Sequence, residues 1–179
     1  MKQYKLTYLK GDSNCVEATL PASKSIANRA LVIAALCGAD DRLNNLSDCD
    51  DTQAVIRALS FAQGEKNIGA AGTAMRFLTA YYAISSESVV MTGTERMKNR
   101  PISILVEALR SIGADIEYME KEGFPPLKIN GKKLNGGELH VQGDVSSQYL
   151  SAILMIAPYT TDGVKLVIEG DLVSRPYLQ

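Results

Sequence analysis

At 179 residues and 19.4 kDa, the chain has room for one ordinary domain, and a chain this long buries roughly 70% of its unfolded surface. Apolar residues at 46% and charged residues at 22% exclude a disordered tail, a collagen and a coiled coil. Nineteen Lys+Arg against 20 Asp+Glu exclude the bulk basic excess of a nonspecific nucleic-acid binder, and zero Trp with 3 Phe argues against an aromatic platform for single strands.

Residues 4–9 and 14–20 read as short extended pieces joined at Gly11-Asp12 and ended by Pro21. No apolar block follows the first lysine, so this is no signal peptide. Ser25 to Gly38 reads as a helix that is apolar on every face, and such a helix is expected to be buried all round. Its purest apolar run, Ala30 to Cys37, is far short of the roughly 20 residues that span a membrane. Asp48, Asp50 and Asp51 read as caps of an amphipathic helix carrying Val55, Ile56, Leu59 and Phe61.

The pattern then recurs. Gly72-Thr73 opens a second apolar helix through Met75 to Ile84, followed by a strand at Ser88 to Thr92. Arg100-Pro101 opens an amphipathic helix with Leu105, Ala108, Leu109 and Ile112, stopped by Gly113. Strands are expected at Asp115 to Met119, Leu127 to Asn130 and Glu138 to Gln142. Ser146-Ser147 opens a third apolar helix, Tyr149 to Ala157, broken by Pro158. A strand at Val164 to Ile168 leads to another helix head at Ser174-Arg175-Pro176.

From the head of each apolar helix to the head of its amphipathic partner the distances are 26, 28 and 29 residues (Ser25 to Asp51, Thr73 to Pro101, Ser147 to Pro176). A unit repeated three times is arranged about an axis, here as an α/β domain with helices inside. Because the sequence stops just inside the last helix, the chain reads as a fragment of something longer.

The helix heads are where chemistry is expected. Free N–H groups and the positive dipole end make a helix N-terminus a candidate anion site. For any single head, N-capping by Ser, Thr or Asp is the better reading. Lys24, Arg29, Arg76 and Arg100 together point further: Arg29 and Arg76 stand in otherwise apolar helices, where a guanidinium needs an anionic partner. Competing chemistries fail. No phosphate-binding loop of the P-loop or dinucleotide type is present. His140, the one histidine, reads as a surface residue rather than a triad member. Cys15, Cys37 and Cys49 form neither a disulfide framework nor a zinc site; Cys37 reads as a small core residue, and a reducing cytoplasm is the expected compartment. Tyr81-Tyr82 reads as core.

These heads resemble the motifs of one family. The run Leu20 to Leu31, LPASKSIANRAL, resembles a motif of the 5-enolpyruvylshikimate-3-phosphate synthases, as do AGTAMR at Ala71 to Arg76 and RMKNRP at Arg96 to Pro101. Ser146-Ser147-Gln148-Tyr149 and Gly170 to Tyr177 (GDLVSRPY) complete the set, in order across the whole chain. The resemblance implies an inside-out α/β barrel of repeated βαβαββ units, one of the family's two domains. Residues 1–20 would be opening strands belonging to the second domain, and 21–179 the first domain, truncated in its third repeat.

The implied reaction transfers the enolpyruvyl group of phosphoenolpyruvate to the 5-hydroxyl of shikimate 3-phosphate and releases phosphate, with no metal or organic cofactor. By resemblance Lys24 is catalytic and lies between the two substrates. Lys24, Ser25, Arg29, Ser146, Ser147, Gln148, Ser174 and Tyr177 would hold shikimate 3-phosphate; Lys24, Gly72, Arg100 and Gln148 would hold phosphoenolpyruvate; Arg76 would support them. The partners implied are these substrates and the second domain of the same chain, not nucleic acid or membrane. The fragment alone is expected to be inactive. Departures from the pattern are Ala70 for Asn and Phe77 for Pro, both expected to flank the phosphoenolpyruvate site, and Arg175 for Lys. The short stretch from Ser60 to Ala70 implies a first unit without its β-hairpin. The weighed alternatives are the related transferase acting on UDP-N-acetylglucosamine, where Lys24-Ser25 would be Lys-Asn, and a noncatalytic phosphosugar-binding module.

Overall fold

The computed structural model describes residues 5, 19–39, 42–60, 64–171 and 178. The expected opening strands through residue 18, Phe61, and the helix head at Ser174-Arg175-Pro176 lie outside them.

Three apolar helices form where expected. The first, α1 (Lys24–Cys37), starts at Ser23, whose hydroxyl accepts from the Ile26 amide at 3.4 Å. It ends at Gly38, whose φ of 61° is the left-handed cap that a side chain resists. The second, α3 (Gly72–Ile84), is the centre of the domain, with only Tyr81 and Ile84 of its residues less than fully buried. The third, α6 (Ser147–Ile156), is capped by Ser146 and runs into a 3₁₀ turn at Ala157–Tyr159, where Pro158 ends it. Two amphipathic helices pack outside them. Between α1 and α3 sits α2 (Asp50–Ser60), which turns Ala54, Val55 and Ala58 inward. Against α3 and α6 sits α5 (Ser103–Ser111), which buries Leu105, Val106 and Leu109. A single helical turn, α4 (Glu95–Lys98), lies between them in sequence and was not expected.

The strands follow the same repeat. The pairs β1 (Gly64–Asn67) with β2 (Ser88–Thr92), and β5 (Gly137–Gln142) with β6 (Val164–Glu169), are parallel, each joined by an inner helix as a parallel pair requires. β3 (Asp115–Tyr118) and β4 (Leu127–Asn130) are antiparallel and complete a four-stranded sheet in the order β1-β2-β4-β3. A single strand, β1, separates α2 from α3 among the described residues, as the short stretch there implied.

Two core expectations are corrected. The helix α1 is not buried all round: Ile26 and Ile33 are 69% and 48% exposed. Cys37 is likewise exposed. The reason is geometric. Outer helices cover the α1–α3 and α3–α6 sides, whereas the α1–α6 side is an apolar groove of about 450 Å³ lined by Ile33, Cys37, Leu154, Met155 and Leu178. Tyr82, by contrast, is core as expected, edge-on to Tyr81 at 5.1 Å.

Candidate active site

The helix heads at one end of the domain bring together residues that lie far apart in sequence. Arg100 precedes α5, yet its guanidinium occupies the space where a Cβ on Gly72, the first residue of α3, would stand. The absence of a side chain at Gly72 lets the neighbouring cation lie directly against the backbone. Lys24, at the start of α1, reaches across to the first turn of α2 and pairs with Asp51 at 3.6 Å. Gln148, in the first turn of α6, donates to the Thr73 hydroxyl at 3.2 Å. These residues, with Ala70 and Arg96, line a polar recess of about 270 Å³.

A second recess of about 150 Å³ adjoins it, lined by Ser25, Arg29, Thr73, Ser147 and Gln148. Thr73 and Gln148 belong to both and form the shared wall. Arg29 donates to the Ser25 carbonyl at 3.0 Å and to Ser151 Oγ at 2.9 Å. Ser146 caps α6, its hydroxyl accepting from the Gln148 backbone N–H at 3.4 Å.

The charge balance is lopsided. Among the described residues, Arg96 and Arg100 form no ion pair, and the only carboxylate that lines the first recess, Asp51, is the partner of Lys24. Burial, and then the neighbouring guanidinium groups of Arg76 and Arg96, push the Arg100 pKa down. Cations crowded so closely make an anion the natural ligand. Arg76 is buried, as its place in an apolar helix required. It donates to the Gly72 carbonyl at 2.8 Å, and its guanidinium lies 5.4 Å from the Tyr149 ring centroid. It therefore braces the same α3 head that meets Arg100.

Among the expected site residues, Lys24, Ser25, Arg29, Gly72, Arg100, Ser147 and Gln148 converge on these two recesses, while Ser146 caps the helix that carries Ser147 and Gln148. Ser174 and Tyr177 lie outside the described residues. Thr73, Arg96 and Asp51 were missed as site residues. Thr73 and Asp51 look like caps in sequence, and Arg96 looks like the solvated face of a turn; what distinguishes them is the wall they share with cations from other units. Ala70 lines the first recess, whereas Phe77 lines neither and faces Arg29.

The EPSP synthase (3-phosphoshikimate 1-carboxyvinyltransferase) family model matches residues 14–63 and 60–179. The chain belongs to the EPSP synthase family. The chain is 55% identical over 175 residues to the 3-phosphoshikimate 1-carboxyvinyltransferase of Bacteroides fragilis, a match covering 97% of this chain and 43% of that protein. With the enzyme of the same name from Photobacterium profundum the identity is 44%, over 90% of this chain and 44% of that protein. The EPSP synthase structure from Acinetobacter baumannii superposes on 88% of this chain with a TM-score of 0.74 at 20% identity, covering 41% of that chain. The fold is therefore the α/β fold of the EPSP synthases, and the chain spans less than half the length of the curated relatives it matches.

Proposed function

We propose that this chain is the half of a 3-phosphoshikimate 1-carboxyvinyltransferase that collects both substrates, phosphoenolpyruvate in the recess of Arg100 and shikimate 3-phosphate in the recess of Arg29. The observation that carries this reading is the shared wall of Thr73 and Gln148 between two recesses lined with cations and neutral donors. Two anions seated on either side of such a wall lie next to each other, and holding reactants together is itself a large part of catalysis.

In the first recess Arg100 offers a forked guanidinium to a carboxylate or phosphate, and the free amides at the α3 head add donors. In the second, Arg29, Ser25 and Ser147 offer charge and hydroxyls to a phosphorylated polyol, with Ser146, Ser174 and Tyr177 assigned by resemblance. Gln148 touches both. Lys24, beside the first recess and next to Ser25 in sequence, is the residue placed to follow charge and protons between the two. The hydroxyl oxygen of shikimate 3-phosphate adds to C2 of phosphoenolpyruvate while C3 takes up a proton. The resulting tetrahedral adduct loses that proton count again from C3 as the C2–O bond to phosphate breaks, and the hydroxyl proton leaves with phosphate or solvent. Fixed donors around the recesses stabilise the charge of the adduct.

Proton movement at carbon needs an acid and a base. Asp51, held by Lys24, is the only carboxylate lining either recess among the described residues. The remaining groups are assigned to the second domain of the full-length protein, a cytoplasmic enzyme in this reading. The test is phosphate release from the two substrates, first with this chain alone and then with a relative's second half added. Activity only in the mixture is expected, because losing general acid–base catalysis costs about 10²–10⁴ in rate. Full turnover by the chain alone would refute this division.

A further inference from the structure

The guanidinium of Arg29 is held from three directions by three inner helices. Nη1 donates back one turn to the Ser25 carbonyl at 3.0 Å on α1, and Nη2 donates to Ser151 Oγ at 2.9 Å on α6. From α3, the Phe77 ring presents its π system, with its centroid 5.1 Å from Cζ. A carbonyl, a hydroxyl and a ring are all neutral. Together they fix the direction of the guanidinium.

The same arrangement recurs one unit on. Arg76 reaches back one turn to the Gly72 carbonyl at 2.8 Å and lies 5.4 Å from the Tyr149 ring of the next inner helix. In the third unit the equivalent place, four residues after Ser147, is Ser151, the hydroxyl that accepts from Arg29. Phe77 is wholly buried and stands where the resembled motif carries Pro, which has no aromatic face to offer. The departure from the pattern is thus spent on Arg29 rather than on the recess of Arg100.

We infer that Phe77, together with Ser151, is a positioning residue that fixes the Arg29 guanidinium toward the recess of Ser25, Ser147 and Gln148, and so sets the affinity for the phosphorylated substrate. The identity of that substrate rests on the function proposed above; the positioning of Arg29 does not.

The test replaces Phe77 with Leu and, separately, with mono-, di- and trifluorinated phenylalanine, which keep the ring's shape while draining its π face. Two readouts are taken on this chain: the ¹⁵N order parameter of the Arg29 Nε–H, and the Kd of shikimate 3-phosphate by calorimetry. The order parameter is expected to fall and the Kd to rise in step with fluorination, reaching about three- to tenfold for the trifluorinated ring and for Leu, with melting temperatures of the fluorinated forms nearly unchanged. Ser151→Ala is expected to move both readouts the same way. An Arg29 order parameter indifferent to fluorination overturns the positioning claim, and a falling order parameter with a constant Kd overturns its link to affinity. Should the unmodified chain show no binding of shikimate 3-phosphate at millimolar concentration, the substrate assignment and the claimed effect on affinity fail, while the order parameters still decide whether Phe77 holds Arg29.

Discussion

The guanidinium of Arg100 lies against the Cα of Gly72, in space that any other residue would fill with its Cβ. The contact joins the head of α5 to the head of α3, and it sets two requirements with opposite signs. Within a helix, Gly→Ala gains up to about 1 kcal/mol from backbone entropy. Here the added methyl also displaces Arg100, whose far end is flexible and moves cheaply. Gly72→Ala is therefore expected to leave the melting temperature level or raised while weakening phosphoenolpyruvate use. Arg100→Ala is expected to cost on the order of 2–4 kcal/mol in transition-state stabilisation, seen as a fall in kcat/KM for phosphoenolpyruvate in the full-length protein. Shikimate 3-phosphate binding should change far less in both; an unchanged kcat/KM for phosphoenolpyruvate would remove Arg100 from the site.

Arg76 is buried but has no carboxylate partner among the described residues; its contacts are the Gly72 carbonyl and the Tyr149 ring. Replacing a buried cation by an apolar side chain of similar length is often neutral for stability. Arg76→Met should therefore keep its unfolding free energy within about 1 kcal/mol of the parent while losing anion binding, because the brace under the α3 head is gone. A variant that unfolds yet, once refolded at low temperature, binds normally would contradict this.

The hydroxyl of Tyr82 donates to the Ala58 carbonyl at 2.7 Å. That carbonyl lies in the last turn of α2, where helical acceptors lack an intrahelical donor. Burial, the largest cause, together with Glu87 and Tyr81 pushes the Tyr82 pKa up, so the hydroxyl stays protonated and able to donate. Tyr82→Phe leaves a buried acceptor unmet and should cost about 1–2 kcal/mol, read as a lower urea midpoint at constant slope.

His140 bridges the third-unit strands, with Nδ1 3.1 Å from Glu169 and Nε2 3.0 Å from Glu138. Hydrogen bonds to Glu169 and then Glu138 raise its pKa above the ordinary 6.5. A raised folded pKa stabilises fully below the unfolded value and is lost as pH rises through the folded one. The melting temperature should therefore drift down as pH climbs from about 6.5, and His140→Gln should flatten that drift. Because the chain has 1 His, its imidazole resonance titrates without overlap. An inflection below 6.5 would show that the two carboxylates do not hold it.

Much of this arrangement is legible in the sequence because it is written locally. Apolar runs with Ser, Gly or Thr at their heads gave three inner helices, and the β2 strand falls on Ser88–Thr92 as read. What local pattern cannot supply is which side of an apolar helix is covered. Ile33 and Cys37 have the composition of core residues, and only the packing of α2 and α5 reveals that no outer helix among the described residues covers the α1–α6 side. The same limit hid Asp51 and Thr73, whose residue types explain a cap as well as a site. Their second role arises only when Lys24 and Gln148 arrive from helices that begin 27 residues before and 74 after them. Phe77 stood out as a departure from a motif, but nothing in the linear order says that it faces Arg29.

The central claim is that this chain by itself carries the shikimate 3-phosphate site. The measurement that bears on it most directly is calorimetric titration of shikimate 3-phosphate into the 179-residue chain, alongside Arg29→Met and Ser147→Ala. One-to-one binding is expected, weaker than in a two-domain enzyme yet measurable at or below about 1 mM, near −4 kcal/mol, and lost in Arg29→Met. No heat of binding in the folded chain at that concentration, or binding that survives Arg29→Met unchanged, would contradict it.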